Sequence, residues 1–100
     1  EIDFSKADIF FVVPQKEGYA RAMNLASQLR DRGMRVEVDL SARAIKKQIK
    51  AASESGASHA VFTGMDELRE NAATVKNLGS GEQCRVPFAD LAAFLEKERE

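Results

Sequence analysis

Apolar and polar positions follow two different periods along the first forty residues, and the changes of period predict the first elements. The run Ile9–Val13 is continuously apolar and stops at Pro14, which is typical of a central strand of a parallel sheet. From Glu17 to Arg32 the apolar spacing becomes i, i+3, i+4, i+7, which predicts a helix ended by Gly33. The residues expected to face the core from that helix are Ala22, Leu25, Ala26 and Leu29.

The middle of the chain repeats this order of strand and helix. Strict alternation over Val36–Leu40 predicts a half-exposed strand at an edge of the sheet. A second helix follows, is expected to stop near Gly56, and leads into a third strand at His59–Thr63. Two βαβ units are therefore expected before residue 64.

The last third of the chain has a different organisation. Residues 64–71 are polar and predict a connection with one short turn. Segments 73–78 and 82–86 flank Gly79-Ser80-Gly81, which predicts a β-hairpin. A final amphipathic helix is expected to bury Phe88, Leu91, Ala92 and Leu95.

Together these elements predict a three-layer α/β/α fold built on a five-stranded mixed sheet. The 100 residues, 44% of them hydrophobic, suffice for one domain with its own core. The chain starts at Glu1 rather than at Met and enters a strand within a few residues. We therefore expect residues 1–100 to be a single domain cut from a longer protein.

The second predicted helix, in the stretch Ser41–Ala52, carries an uneven charge. Ala42, Ile45, Ile49 and Ala52 form one stripe of this helix, which is expected to pack on the core. The other stripe holds four cations and no acid, whereas the formal net charge of the whole chain is −1, so the rest of the chain sums to −5. This basic stripe consists of Arg43, Lys46, Lys47 and Lys50.

These cations stand where they oppose the stability of the helix. Ser41 is the expected N-cap, so the cations fall in the first turns, where each costs roughly 0.3–1 kcal/mol against the helix dipole. An anionic partner that meets both the side chains and the free helix amides would explain the arrangement. The alternative is a cationic face that serves only solvation.

The predicted sheet suggests the same location for a ligand. In open α/β sheets, ligands bind beyond the carboxyl ends of the parallel strands. The segments expected at that edge are Pro14–Tyr19, Leu40–Arg43 and Thr63–Asp66. The basic stripe therefore starts at the expected ligand edge.

Residues that could carry catalysis are sparse. His59 is the single histidine and Cys84 the single cysteine, so we expect a structural histidine, a buried inert thiol and no metal site. No glycine-rich phosphate loop follows the first strand. The pattern favours a binding module with no catalytic residue of its own.

The composition also bears on location. A lone cysteine favours a reducing compartment, and no apolar run is long enough to cross a membrane. No signal-peptide pattern opens the chain. We therefore expect a cytoplasmic protein without a membrane partner.

Several short motifs resemble one family. They are Val12-Val13-Pro14, the stretch from Gly33 to Asp39, Lys46-Lys47-Gln48-Ile49-Lys50-Ala51-Ala52, Gly56-Ala57, Val75-Lys76-Asn77-Leu78 and Gly81-Glu82-Gln83. Their order resembles the anticodon-binding domain of class II aminoacyl-tRNA synthetases from about Ala7 to Leu95. The lysine pair with its glutamine and the Gly-Glu-Gln turn are most similar to the histidyl-tRNA synthetases.

The resemblance implies a fold and a set of contacts. It implies that the fourth strand is antiparallel to the others and that the domain binds a tRNA anticodon loop, whose splayed bases can be read on their edges. Tyr19 is the one candidate for stacking, although it could equally be an ordinary surface residue. The residues that the resemblance implies for tRNA are Arg43, Lys47 and Lys50, then Lys46 and Gln48, with Glu37 and Asp39 as orienting groups or acceptors from bases.

The resemblance also implies a parent enzyme, a longer synthetase or synthetase-like protein whose C-terminal end this domain would form. That enzyme would be a homodimeric histidine–tRNA ligase whose catalytic domain uses ATP, whereas this domain would need no cofactor. The family usually enters strand four through Asn-Gly, but this chain has Asn71-Ala72-Ala73, and Leu68-Arg69-Glu70 before it is also unusual. Alanine tolerates positive φ poorly, so the turn is expected to differ.

Two other functions stay open. The altered turn would suit an interaction or dimerisation domain of a synthetase-like paralogue that no longer charges tRNA. A small-molecule anion binder of flavodoxin-like shape is the third possibility, and the missing glycine-rich loop counts against it.

Overall fold

The computed structural model describes residues 8–39 and 44–98. Its strands are β1 (Ile9–Val12), β2 (Val36–Val38), β3 (His59–Phe62), β4 (Ala72–Asn77) and β5 (Gln83–Pro87). Its helices are α1 (Tyr19–Asp31), α2 (Ile45–Glu54), α3 (Met65–Glu70) and α4 (Leu91–Glu98). Single 3-10 turns, Lys16–Gly18 and Phe88–Asp90, lead into α1 and α4.

The sheet has the predicted mixed topology. The strand order is β2-β1-β3-β4-β5, so β2 is an edge strand as its alternation predicted. β1 pairs in parallel with β2 and β3, whereas β4 is antiparallel to both β3 and β5. The expectation of an antiparallel fourth strand in a five-stranded sheet is thus confirmed.

One face of the sheet, which we call the first face, carries the larger core. Alternation along β1 turns Ile9 and Phe11 toward this face, where α1 and α4 pack. The four α1 residues that were predicted to be buried are all at most 2% exposed, and the four predicted for the last helix are at most 8% exposed. The periodicity of both helices was therefore read correctly from the sequence.

The opposite side, which we call the second face, is smaller and is covered by α2. Its buried apolar cluster consists of Phe10, Val12, Ala52, Ala57 and Ala60. No helix in the described ranges is long and apolar enough to span a bilayer.

Two turns explain how the chain reverses between elements. Gly33 ends α1 at φ +86°, and Met34 N–H then donates to the Leu29 carbonyl at 3.2 Å. The polar segment after β3 was predicted to be a connection with a short turn, but it forms the six-residue helix α3. Asn71 ends this helix in the left-handed region at φ +54°.

The left-handed backbone conformation of Asn71 explains how the unusual turn before β4 is made. Asn71 is the non-glycine residue with positive φ in the described part of the chain, and asparagine tolerates that region better than most residues do. Ala72 already belongs to β4 and needs no positive φ. The expected conflict with alanine therefore does not arise.

Candidate nucleic-acid interface

The start of α2 differs from the prediction. The N-cap is Ala44 rather than Ser41, and it offers no side-chain hydrogen bond to the first turn. Ser41 and Arg43 lie outside the described residues, so the contacts predicted for Arg43 stay a prediction. The helix begins at Ile45 without an acid in its first turn, while Lys46 and Lys47 stand there as cations. The unfavourable charge arrangement at this helix end is therefore present.

Three lysines of the basic stripe are exposed along α2. Lys46, Lys47 and Lys50 all face solvent. None has an ion pair with a carboxylate of residues 8–39 or 44–98. Their charges are thus not neutralised by the part of the protein that the structure describes. We call these three residues the cationic ridge.

The ridge faces away from the sheet rather than into the strand-end crevice. At about 100° per residue, Lys46 and Lys50 lie roughly 200° around the helix from the buried Gln48, and Lys47 lies on one flank. The ridge is therefore an outward surface beside the ends of the strands.

The buried side of α2 corrects two expectations. Gln48 is 0% exposed and Ala52 is 0% exposed, with Ile49 half-buried beside them. Ile45, which was expected on the core, is 43% exposed. Ala42 lies outside the described residues. The helix is therefore rotated relative to the predicted stripe, with a polar residue at the centre of its buried side.

Gln48 can occupy that buried position because its amide is satisfied by the backbone of β1. Val13 N–H donates to Gln48 Oε1 at 2.7 Å, and Gln48 Nε2 donates to the Val13 carbonyl at 2.9 Å. Without these bonds, each buried polar group would cost roughly 1–3 kcal/mol. A side chain so enclosed does not reach an external ligand, so the expectation that Gln48 contacts tRNA is replaced by a structural role.

The acidic candidates on β2 have different environments. Glu37 pairs in register with Phe10 and is exposed, on the second face with α2. Asp39 is only 6% exposed, although carboxylates are rarely buried without a partner, and it does have one. Asp39 is therefore buried with a partner in the folded domain, while Glu37 is accessible from solvent.

Tyr19 lies on the other side of the sheet. It is the first residue of α1, is partly buried, and packs against the core of the first face. The structure thus separates Tyr19 from the ridge by placing their two helices on opposite faces of the sheet.

The loops after β1 and β3 are tied together at the strand-end edge. Met65 N–H donates to Gln15 Oε1 at 3.1 Å. Gly18 lies so close to the Thr63 carbonyl oxygen that a Cβ at position 18 would come within 2.0 Å of it. These residues fall in the segments expected at the ligand edge, but their contacts could not be predicted, because the partners are about fifty positions apart and no local pattern marks them.

A similar tie supports the start of α3. Gly64 N–H donates to Glu67 Oε1 at 2.8 Å, and the other oxygen of Glu67 accepts from Thr74 Oγ1 at 2.7 Å. Arg85 lies 3.8 Å from that same oxygen. These contacts hold the loop after β3 in place at the strand-end edge. The sequence signal for them was a capping-box spacing, with Glu67 three residues after the N-cap, although the N-cap is Gly64 rather than Ser or Thr.

The two residues with potential for chemistry lie at the opposite end of the sheet. His59 is buried, with Nδ1 2.8 Å from Ser58 Oγ and Nε2 3.5 Å from Glu98 Oε1. Cys84 was expected to be buried, but it is exposed, because it lies on the edge strand β5. Among the described residues, no three His, Cys, Asp or Glu side chains are grouped so that they could hold a metal ion.

Comparison with known proteins agrees with the geometry. Residues 8–98 match the family model described as the anticodon binding domain. The histidine–tRNA ligase of Geobacillus thermodenitrificans is 40% identical over 88 residues, which cover 88% of this chain and 21% of that protein. The histidine–tRNA ligase of Lysinibacillus sphaericus is 34% identical over 94 residues, which cover 94% of this chain and 22% of that protein.

Solved structures give the same result. The histidyl-tRNA synthetase of S. aureus superposes with a TM-score of 0.85 at 30% identity, covering 96% of this chain and 25% of that one. The histidyl-tRNA synthetase of Nostoc sp. PCC 7120 also superposes with a TM-score of 0.85. It is 33% identical, and the match covers 94% of this chain and 23% of that one. The chain thus spans about a fifth to a quarter of these relatives. Since the family model covers all the described residues, the chain belongs to the anticodon-binding domain family, in the form found in histidine–tRNA ligases.

Proposed function

We propose that this domain binds the anticodon loop of a tRNA through the cationic ridge on α2 and the adjoining strand-end loops. The observation that carries the proposal is the set of three exposed lysines without a partner among the described carboxylates, next to a helix start that has no acid and no side-chain cap. Anionic phosphates would relieve both the side-chain charge and the helix-end amides.

The individual residues take different roles in this proposal. Lys46, Lys47 and Lys50 act as point charges on the RNA backbone, and Arg43 acts as a fork on a phosphate or base edge. Glu37 accepts a hydrogen bond from a base, since its carboxylate is exposed beside α2. Tyr19 is a weaker candidate because it packs on the first face of the sheet.

The similarity to histidine–tRNA ligases supports a proposal about the whole protein. We infer that the domain belongs to a histidine–tRNA ligase and holds tRNA for aminoacylation by a catalytic domain that is outside these residues. In that setting ATP is used by the catalytic domain, the ligase is a homodimer, and the protein acts in the cytoplasm. The alternative of a non-charging paralogue was motivated by the unusual turn, and that motivation is weakened because Asn71 supplies the positive φ itself.

The test is a titration of labelled anticodon stem-loops. A stem-loop with a histidine anticodon and one with an unrelated anticodon are compared by fluorescence anisotropy over a range of salt concentrations. We expect Lys47→Glu to weaken binding about tenfold and to reduce the salt slope by about one or more, since each phosphate contact contributes roughly that much.

Lys97→Glu is the matched control. It changes the net charge by the same amount and lies in the last turn of α4, on the first face of the sheet. We expect its affinity to stay within about twofold of the unaltered domain, apart from the general charge effect. Equal losses in the two variants, or no loss in either, would overturn the proposed interface.

A further inference from the structure

Gln48 occupies a position that an apolar residue would normally take. It is 0% exposed, at the centre of the side of α2 that faces the sheet, and it is among the largest fully buried side chains described. Its amide forms two hydrogen bonds to one residue, Val13, at 2.7 Å and 2.9 Å. Both the donor and the acceptor of this side chain are therefore used on the same peptide segment.

Val13 lies just past the described register pairs of β1, and its peptide groups are bonded by Gln48 instead. The Val12 carbonyl accepts from Thr63 N–H at 3.2 Å, toward β3. Successive residues of a strand direct their polar groups to alternate sides, so the groups of Val13 point toward β2. The last register pair between β1 and β2 is Phe11 with Val38. The Gln48 amide thus stands beyond the last register pair that the structure describes between β1 and β2.

This contact also determines the orientation of α2. The N-cap residue Ala44 gives the helix start no side-chain hydrogen bond, and the cations in the first turn oppose the helix dipole. An apolar side chain could pack at several rotations, whereas an amide bound at both ends admits one. Because helix positions are offset by a fixed angle, fixing Gln48 fixes the direction of Lys46, Lys47 and Lys50.

We propose that Gln48 is a positioning residue, which completes the carboxyl end of β1 with its amide and thereby sets the direction and place of the cationic ridge. It does not touch RNA and acts through the three lysines. This inference rests on the proposed function as far as RNA binding is concerned, while its structural half can be tested without RNA.

The first test compares two variants of the domain that remove different buried groups. Gln48→Met keeps a similar volume and loses both hydrogen bonds, whereas Leu95→Ala opens a cavity in the core of the first face. Urea unfolding establishes conditions in which each variant is folded, and stem-loop affinity is measured there. We expect Gln48→Met to bind about tenfold more weakly and Leu95→Ala to bind within twofold of the unaltered domain.

A rescue variant distinguishes hydrogen bonding from packing. Gln48→Glu in its protonated form offers one donor and one acceptor with the same shape, and burial raises the pKa of such a carboxyl. We expect its affinity, relative to the unaltered domain at the same pH, to recover as the pH is lowered. Gln48→Met is expected to show no such recovery.

The second test uses hydrogen exchange without RNA. We expect Gln48→Met to speed exchange at the amides of α2 and at Val13 by at least tenfold more than at α1. Unchanged affinity together with unchanged exchange in α2 would overturn the proposal. If the unaltered domain does not bind any stem-loop, the proposed function fails, and the exchange result alone decides whether Gln48 positions the helix.

Discussion

The two faces of the sheet are closed in different ways. The first face is covered by α1 and α4 and is buried through apolar side chains such as Phe11, Leu29 and Leu95. The second face is covered by α2, with small alanines around a buried glutamine that binds the end of β1. The first face therefore supplies most of the hydrophobic stabilisation, whereas the second holds a charged helix in one orientation.

This difference predicts that stability and RNA binding can be altered separately. Substitutions on the first face should change the free energy of unfolding and leave the affinity of the folded domain intact. Substitutions on the outer surface of α2 should do the reverse. The strand-end edge, where both faces meet the loops, should respond in both measurements.

The largest effect on stability is expected from Leu29→Ala. Leu29 is 0% exposed within the core of the first face, and deleting such a side chain costs about 3 kcal/mol. Urea unfolding measures this loss, and stem-loop affinity in dilute buffer is expected to stay within twofold. The control is Gln28→Ala at the exposed neighbouring position, which should change the free energy of unfolding by less than about 0.5 kcal/mol. A large loss of affinity in folded Leu29→Ala would contradict the separation of the two faces.

Gly18→Ala should destabilise the strand-end edge, where the loops after β1 and β3 are in contact. Its φ is −83°, so alanine suits the backbone, but the new Cβ would lie 2.0 Å from the Thr63 carbonyl oxygen. The loops after β1 and β3 would have to separate, at a cost of about 1–3 kcal/mol. Thermal unfolding is the measurement. Gly79→Ala, whose nearest neighbour would be Asn77 Oδ1 at 3.3 Å, is the matched control; similar losses in both variants would be evidence against the close approach.

Asn71→Ala tests the turn before β4, away from the helices that differ between the faces. Alanine in the left-handed region should cost about 1 kcal/mol, whereas Asn71→Gly should be close to neutral. Chemical denaturation of the two variants gives the difference directly. If the alanine variant were as stable as the glycine variant, the positive φ at position 71 would be in doubt.

The smallest expected change in the free energy of unfolding is a gain rather than a loss. Lys46→Glu places an acid in the first turn of α2 and should stabilise the domain by about 0.5 kcal/mol at low ionic strength, while it weakens stem-loop binding. Lys97→Glu near the end of α4 should instead destabilise slightly, because a cation there is favourable. Calorimetry at low salt measures both shifts. A destabilised Lys46→Glu variant would mean that Lys46 has a stabilising partner in the folded domain.

The sequence was sufficient where one pattern decides the structure. The buried side of α1 was predicted because Ala22, Leu25, Ala26 and Leu29 form one apolar stripe at helical spacing. The strands were predicted because short continuous or alternating apolar runs mark them. The rotation of α2 was not, because the decisive contact joins Gln48 to a peptide group 35 positions away and a glutamine has no apolar signal. The same reason hid the tie between Gln15 and Met65. Cys84 was misplaced because burial on an edge strand depends on what covers it.

The candidate site was predicted in kind and only partly in detail. The exposure of Lys46, Lys47 and Lys50 agrees with the basic stripe, because charge at helical spacing can be read directly from the sequence. Whether the charges face the crevice or its outer rim depends on the rotation of α2. That rotation is a property of the tertiary contact at Val13 and is absent from the local pattern.

In the proposed interface, RNA meets the outer surface of α2 and the neighbouring ends of the parallel strands. Its most direct test is an NMR titration of the ¹⁵N-labelled domain with a histidine anticodon stem-loop. We predict that the largest amide shifts fall in residues 45–50, 14–18 and 64–66, with α4 and the β4–β5 hairpin unchanged. Shifts concentrated on the hairpin around Asn77–Glu82, or on the outer surface of α1 and α4, would contradict it.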